Sequence, residues 1–95
     1  MIFLQRANFM DEQPELRPEP ELRDIILRLL HIHSERNGFN VRPADFSPPV
    51  ALPVIRRIGQ ELYDMQFIKE PPSRYPDSWW MRISTQGILH AEQNL

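Results

Sequence analysis

The chain has no cysteine, only three glycines, and no apolar run approaching the ~18 residues of a membrane-spanning helix. Without cysteine there can be no disulfide, thiolate metal site or thiol nucleophile. Glycines at 38, 59 and 87 are too scattered for a loop that cradles phosphate. The opening Met1-Ile2-Phe3-Leu4 is apolar but short, lacks a basic flank and runs into Asp11-Glu12. No signal peptide is expected, and a cysteine-free chain of this kind fits the cytoplasm. Neither sign of charge dominates, since the net charge is −2. The distribution is uneven: residues 1–21 carry −3 and residues 22–90 carry +2. A body that mildly basic does not by itself argue for nucleic acid.

What the chain has in abundance is proline, ten in 95 residues. They fall at 14, 18 and 20, then 43, 48, 49 and 53, then 71, 72 and 76. Proline lacks a backbone donor and clashes inside helices, so it belongs in connectors and first turns. The three clusters therefore punctuate three proline-free windows, and the pattern argues against disorder. A single domain of this size buries only about 60–65% of its unfolded surface, so a second copy would help stabilise it.

The first window predicts a helix from about 20 to 36. Leu22, Ile25, Ile26, Leu29 and Leu30 form one stripe, Glu19 and Glu21 suit its N-terminal end, and Gly38 suits its C-cap. Leu27 falls off the stripe and is expected to mark a second contact surface. The next window predicts a helix from about Pro53 to Gln66, burying Val54, Ile55, Ile58, Leu62 and Met65. Gly59 inside it costs about 1 kcal/mol relative to alanine. Phe67-Ile68-Lys69-Glu70 and Trp79 to Ser84 predict a hairpin with a proline-rich tip. Trp79, Met81 and Ile83 alternate there with Trp80, Arg82 and Ser84. Ser84 or Thr85 then caps a short helix to about Gln93. Phe39-Asn40-Val41 predicts a brief strand, and Pro43 to Phe46 one helical turn with Phe46 in the core.

This order (helix, strand, short helix, long helix, hairpin, helix) resembles the winged helix-turn-helix superfamily from about Glu21 to Glu92. The residues carrying the likeness are Leu22 to Leu30, Pro53 to Phe67, the pair Phe67-Ile68-Lys69 and Trp80 to Ser84, and the closing Ile83-Ser84-Thr85-Gln86-Gly87-Ile88. The departure is at the second helix, which prolines 43, 48, 49 and 53 limit to about one turn. The resemblance implies an α+β fold: a three-helix core, a β-hairpin wing and a short C-terminal helix over residues 20–95. Residues 1–19 would be an N-terminal arm with an acidic, proline-rich linker.

The resemblance also implies duplex-DNA binding, of the kind found in small transcriptional regulators that act as homodimers. Arg56, Arg57 and Gln60 on the long helix would then meet bases and phosphates, Arg and Gln being the types that read guanine and adenine. Arg74 and Tyr75 are expected at the wing tip, with Lys69 and Arg82 adding backbone contacts. The same arginines and glutamine are also what any solvated helix face carries, and Glu61 and Asp64 would repel phosphate. The alternative is a winged-helix protein-interaction or dimerisation module without DNA binding. Its interface residues would be Phe3 and Leu4 of the arm, Leu27 and Trp80.

An enzyme is not expected. His31 and His33 lie about 200° apart around one helix and cannot converge on a metal, and His90 stands alone. No His-Glu-x-x-His, Gly-x-Ser-x-Gly or Walker pattern is present, so neither metal nor cofactor is expected.

Overall fold

Pro18 opens the first helix, α1 (Glu19–Ile32), whose first turn carries Pro20, Glu19 and Glu21. The structure is a computed structural model that describes residues 15–95. The elements that follow are β1 (Phe39–Val41), a 3-10 turn (Pro43–Asp45), α2 (Leu52–Asp64), β2 (Ser73–Tyr75), β3 (Ser78–Met81) and α3 (Thr85–Asn94). The strands form one antiparallel sheet in the order β1-β3-β2, and α1 packs against α2, α3 and β1. Among the described residues, three α-helices and a three-stranded antiparallel sheet make a small α+β domain. The expected arm residues Phe3 and Leu4 lie outside the described residues.

The buried arc of α1 is rotated from the stripe read in the sequence. Leu22, Ile26, Leu27 and Leu30 are buried, whereas Ile25 and Leu29 are only partly covered. At about 100° per residue the four span roughly 140°, because the helix has α2 on one flank and α3 on another. Leu27, expected to offer a contact surface to a partner, is only 1% exposed and belongs to the domain's own core. The helix also stops sooner, at Ile32, with His33 as C-cap. The His33 ring stacks on Phe39, centroids 4.4 Å apart and planes 2° from parallel, so the chain turns here to enter β1.

Gly38 is not a left-handed cap, since no glycine here has positive φ. Its role is space: a Cβ would sit 2.6 Å from Trp80 Cε2 and 2.9 Å from Arg82 Cγ. The proline-rich corner keeps one 3-10 turn, as expected, and drops Phe46 and Val50 into the core at 3% and 1% exposure. Arg17 ties the segment before α1 to this corner by donating to the Pro48 carbonyl at 2.7 Å.

Ile55, Ile58, Gly59 and Leu62 form the buried face of α2, while Met65 is exposed. Gly59 lets the hairpin approach, since a Cβ there would lie 2.6 Å from both Met81 Cε and Pro72 Cγ. The helix ends in a Schellman turn, with Gln66 N–H donating to Tyr63 O and Phe67 N–H to Leu62 O, both at 2.9 Å. Gln66 occupies the left-handed position at φ 69°, where glycine is favoured.

Ile68 bridges Ile83, and β2 pairs with β3 through Arg74 opposite Trp79. Pro71 and Pro72 lack donors and separate the two paired stretches. Trp79, Met81 and Ile83 are buried, in keeping with the period-2 reading. The hairpin turns at Pro76-Asp77, so Arg74 and Tyr75 belong to β2 and not to the tip. Ser84 caps α3: its hydroxyl accepts from Gly87 N–H at 3.0 Å and donates to Gln66 O at 2.7 Å.

Two substitutions test these junctions by urea unfolding. Gln66→Gly should stabilise the domain by about 0.5–1 kcal/mol by relieving the left-handed residue, and Gln66→Ala should bring no such gain. Gly87→Ala should destabilise by about 1–3 kcal/mol in spite of alanine's better helix propensity. The added Cβ would press on the backbone carbonyl of Phe67 and sit 2.8 Å from Ile83 Cγ1.

Candidate nucleic-acid interface

Alternation along β3 turns Trp79 towards α2, where its indole N–H donates to the Leu52 carbonyl at 3.0 Å. That bond fixes the ring, which is 7% exposed, against the first turn of the long helix. Arg56 lies four residues beyond Leu52, hence on the same side of α2, and its guanidinium carbon is 5.8 Å from the Trp79 ring centroid. Arg74 stands directly across the hairpin from Trp79, with its guanidinium carbon 5.3 Å from the same ring. Each cation–π contact is worth ~0.5–1 kcal/mol at an exposed site. One indole thus gathers two solvent-exposed cations from two elements far apart in sequence. Among the described residues neither has an acidic partner; Arg74 makes only a 3.4 Å bond to the Pro76 carbonyl.

The other candidates on α2 are already engaged. Arg57 pairs with Glu19 in the first turn of α1. Gln60 donates to Asp64 Oδ1 at 3.2 Å, one turn along the same helix. Both remain on the solvent side of α2, near Arg56.

Arg82, Trp80 and Tyr75 lie elsewhere. Trp80 and Arg82 alternate with Trp79 and Met81, so they point to the opposite face of the sheet. Arg82 forks onto Glu70, with Nε to Oε1 at 2.5 Å and Nη2 to Oε2 at 3.0 Å, and donates from Nη1 to Asn37 Oδ1 at 3.1 Å. The hydrogen bonds from Arg82 to Glu70 lower the Glu70 pKa, with burial opposing them and the Arg82 and Lys69 charges assisting. Tyr75, 46% exposed, sits 6.3 Å from Trp80, ring to ring. Lys69 is exposed and shares with Arg82 the wall of a cleft of about 330 Å³ between the end of α1, β3 and the start of α3. The seven sequence candidates therefore divide. Arg56 and Arg74 share the Trp79 ring as a neighbour, Arg57 and Gln60 lie beside Arg56 on α2, and Lys69, Tyr75 and Arg82 belong to other surfaces.

Two participants were not legible as such. Trp79 reads as a core or interface aromatic, and its gathering role depends on the hairpin register. Tyr75-Pro76-Asp77-Ser78 held that register, because a turn at Pro76-Asp77 sets Arg74 opposite Trp79. Glu19 reads as a helix-start acid, and its partner lies on a different helix.

The histidines do not converge. His33 stacks on Phe39, His90 stacks on Phe67 at 4.5 Å, and His31 Nε2 lies 3.7 Å from Glu92 Oε2. Among the described residues no group of three or more His, Cys, Asp or Glu is placed to hold a metal ion. No helix among them is long and apolar enough to cross a membrane. Compared with family models, curated proteins and solved structures, the chain matches none.

The Glu70–Arg82 fork gives a pH prediction. Because the Glu70 pKa is lowered in the folded state, the pair's stabilisation is complete above the ordinary carboxylate range and is lost as pH falls through the lowered value. Glu70→Gln should therefore be less stable than the parent near pH 7. The gap should close in urea titrations as pH falls below about 4.

Proposed function

We propose that this chain is a winged-helix-type domain that binds duplex DNA through α2 and the β2–β3 hairpin. The succession of α1, β1, a short turn, α2, a hairpin and α3, with strand order β1-β3-β2, supports the winged-helix reading. The 3-10 turn takes the place of a full second helix. The observation that carries the functional reading is that Arg56 and Arg74, from two elements, both lie against the Trp79 ring, at 5.8 and 5.3 Å from its centroid. Phosphate spacing rewards cations held at fixed separation, and a guanidinium can serve either a phosphate or a guanine edge. With the long helix in the major groove, the hairpin arginine meets the adjoining backbone. Regulation of transcription by a homodimer is the role such a domain would serve.

A second reading is favoured by one feature, the Trp80–Tyr75 pair on the sheet face turned away from α2. There a protein partner or a second copy of the chain would dock, without using Arg56.

Gel-shift titration with mixed genomic fragments at 50 mM salt separates the two. DNA binding predicts that Arg56→Ala and Arg74→Ala each weaken affinity about five- to tenfold. Each should also make the plot of log affinity against log salt shallower by about 0.9. Absence of any shift by the parent chain would contradict the proposal, and a self-association lost in Trp80→Ala would favour the second reading.

A further inference from the structure

Arg57 is the residue beside Arg56 on the solvent side of α2, and it does not stand free. Glu19, from the first turn of α1, occupies its guanidinium. This contact joins two helices across 38 residues of sequence. Neither partner is sealed from water, the side chains being 51% and 39% exposed for Arg57 and Glu19. A pair of that kind is weakly held and is readily exchanged for a stronger anion. A DNA phosphate is such an anion, and a released Glu19 would still be favoured by the positive end of α1. The other acids of the region are differently placed. Glu15 is committed to Arg17 at 2.7 Å, and Glu21 is exposed with no described partner.

From this placement we propose that Glu19 is an acidic guard on the DNA-binding face, a built-in competitor that phosphate must displace from Arg57. The inference rests on the reading of α2 as a DNA-binding helix and adds a regulation to it. The guard sets a threshold: weak, non-specific contacts with duplex compete poorly against Glu19. A site that also engages Arg56 and Arg74 displaces it.

Titration of a fluorescent 20-base-pair duplex of random sequence tests this with the full chain at 50 mM salt. The set is the parent, Glu19→Gln, Glu21→Gln, Arg57→Gln and the double variant E19Q/R57Q, each checked by thermal melting. Glu19→Gln should tighten binding about three- to tenfold, whereas Glu21→Gln, which removes the same charge from the same turn, should change it less than about twofold. In the Arg57→Gln background the gain from Glu19→Gln should vanish. Equal gains from the two glutamates, or a Glu19→Gln gain that survives loss of Arg57, would overturn the guard while leaving DNA binding intact. No binding by any member of the set would overturn the guard together with the functional reading beneath it.

Discussion

The hydrogen bond from the Trp79 indole to the Leu52 carbonyl is the joint on which the candidate surface depends. It fastens the hairpin to the opening turn of α2 at a point where no backbone ladder connects them. Gly59 makes the joint possible further along the helix, because its missing side chain leaves room for Met81 and Pro72. The Schellman turn at Gln66 and the cap at Ser84 close the other end, with Ser84 bonded both to Gln66 O and to Gly87 N–H. The helix and the hairpin are thus held at two ends. What projects from one keeps a fixed relation to what projects from the other.

That geometry bears on a problem posed by the charge. Residues 22–90 carry only +2, a weak field for the DNA binding proposed above. Gathering matters more than total in such a case. Arg56 and Arg74 are left without acidic partners among the described residues, while Arg82 is spent on Glu70 and Arg57 on Glu19. The fork on Glu70 ties β3 to the segment ahead of β2, so that arginine is structural in effect whatever else it touches.

Much of the fold was legible because it is written in local signals. The prolines marked the connectors, the alternation from Trp79 to Ser84 placed the inner face of β3, and Ser84-Thr85 announced a cap for α3, which the structure assigns to Ser84. The misreadings have tertiary causes. Leu27 reads as outward-facing because a single stripe presumes one neighbour, and α1 has several. Gly38 reads as a cap because its real constraint, the Trp80 ring, comes from a strand about 40 residues away. For the candidate site, the residue types were legible and their grouping was not. Nothing local to Arg74 says that it faces Trp79, nor anything local to Glu19 that it reaches Arg57. Both follow from how α1, α2 and the hairpin pack.

The central claim is that α2 and the hairpin form one DNA-facing surface organised by Trp79. The most direct measurement follows the two indole N–H resonances of Trp79 and Trp80 by NMR as a 20-base-pair duplex is added. A saturable shift of the Trp79 signal is predicted, with little movement of Trp80 and affinity falling at least about tenfold between 50 and 200 mM salt. A titration that leaves Trp79 unmoved, or that moves only Trp80, would contradict the account.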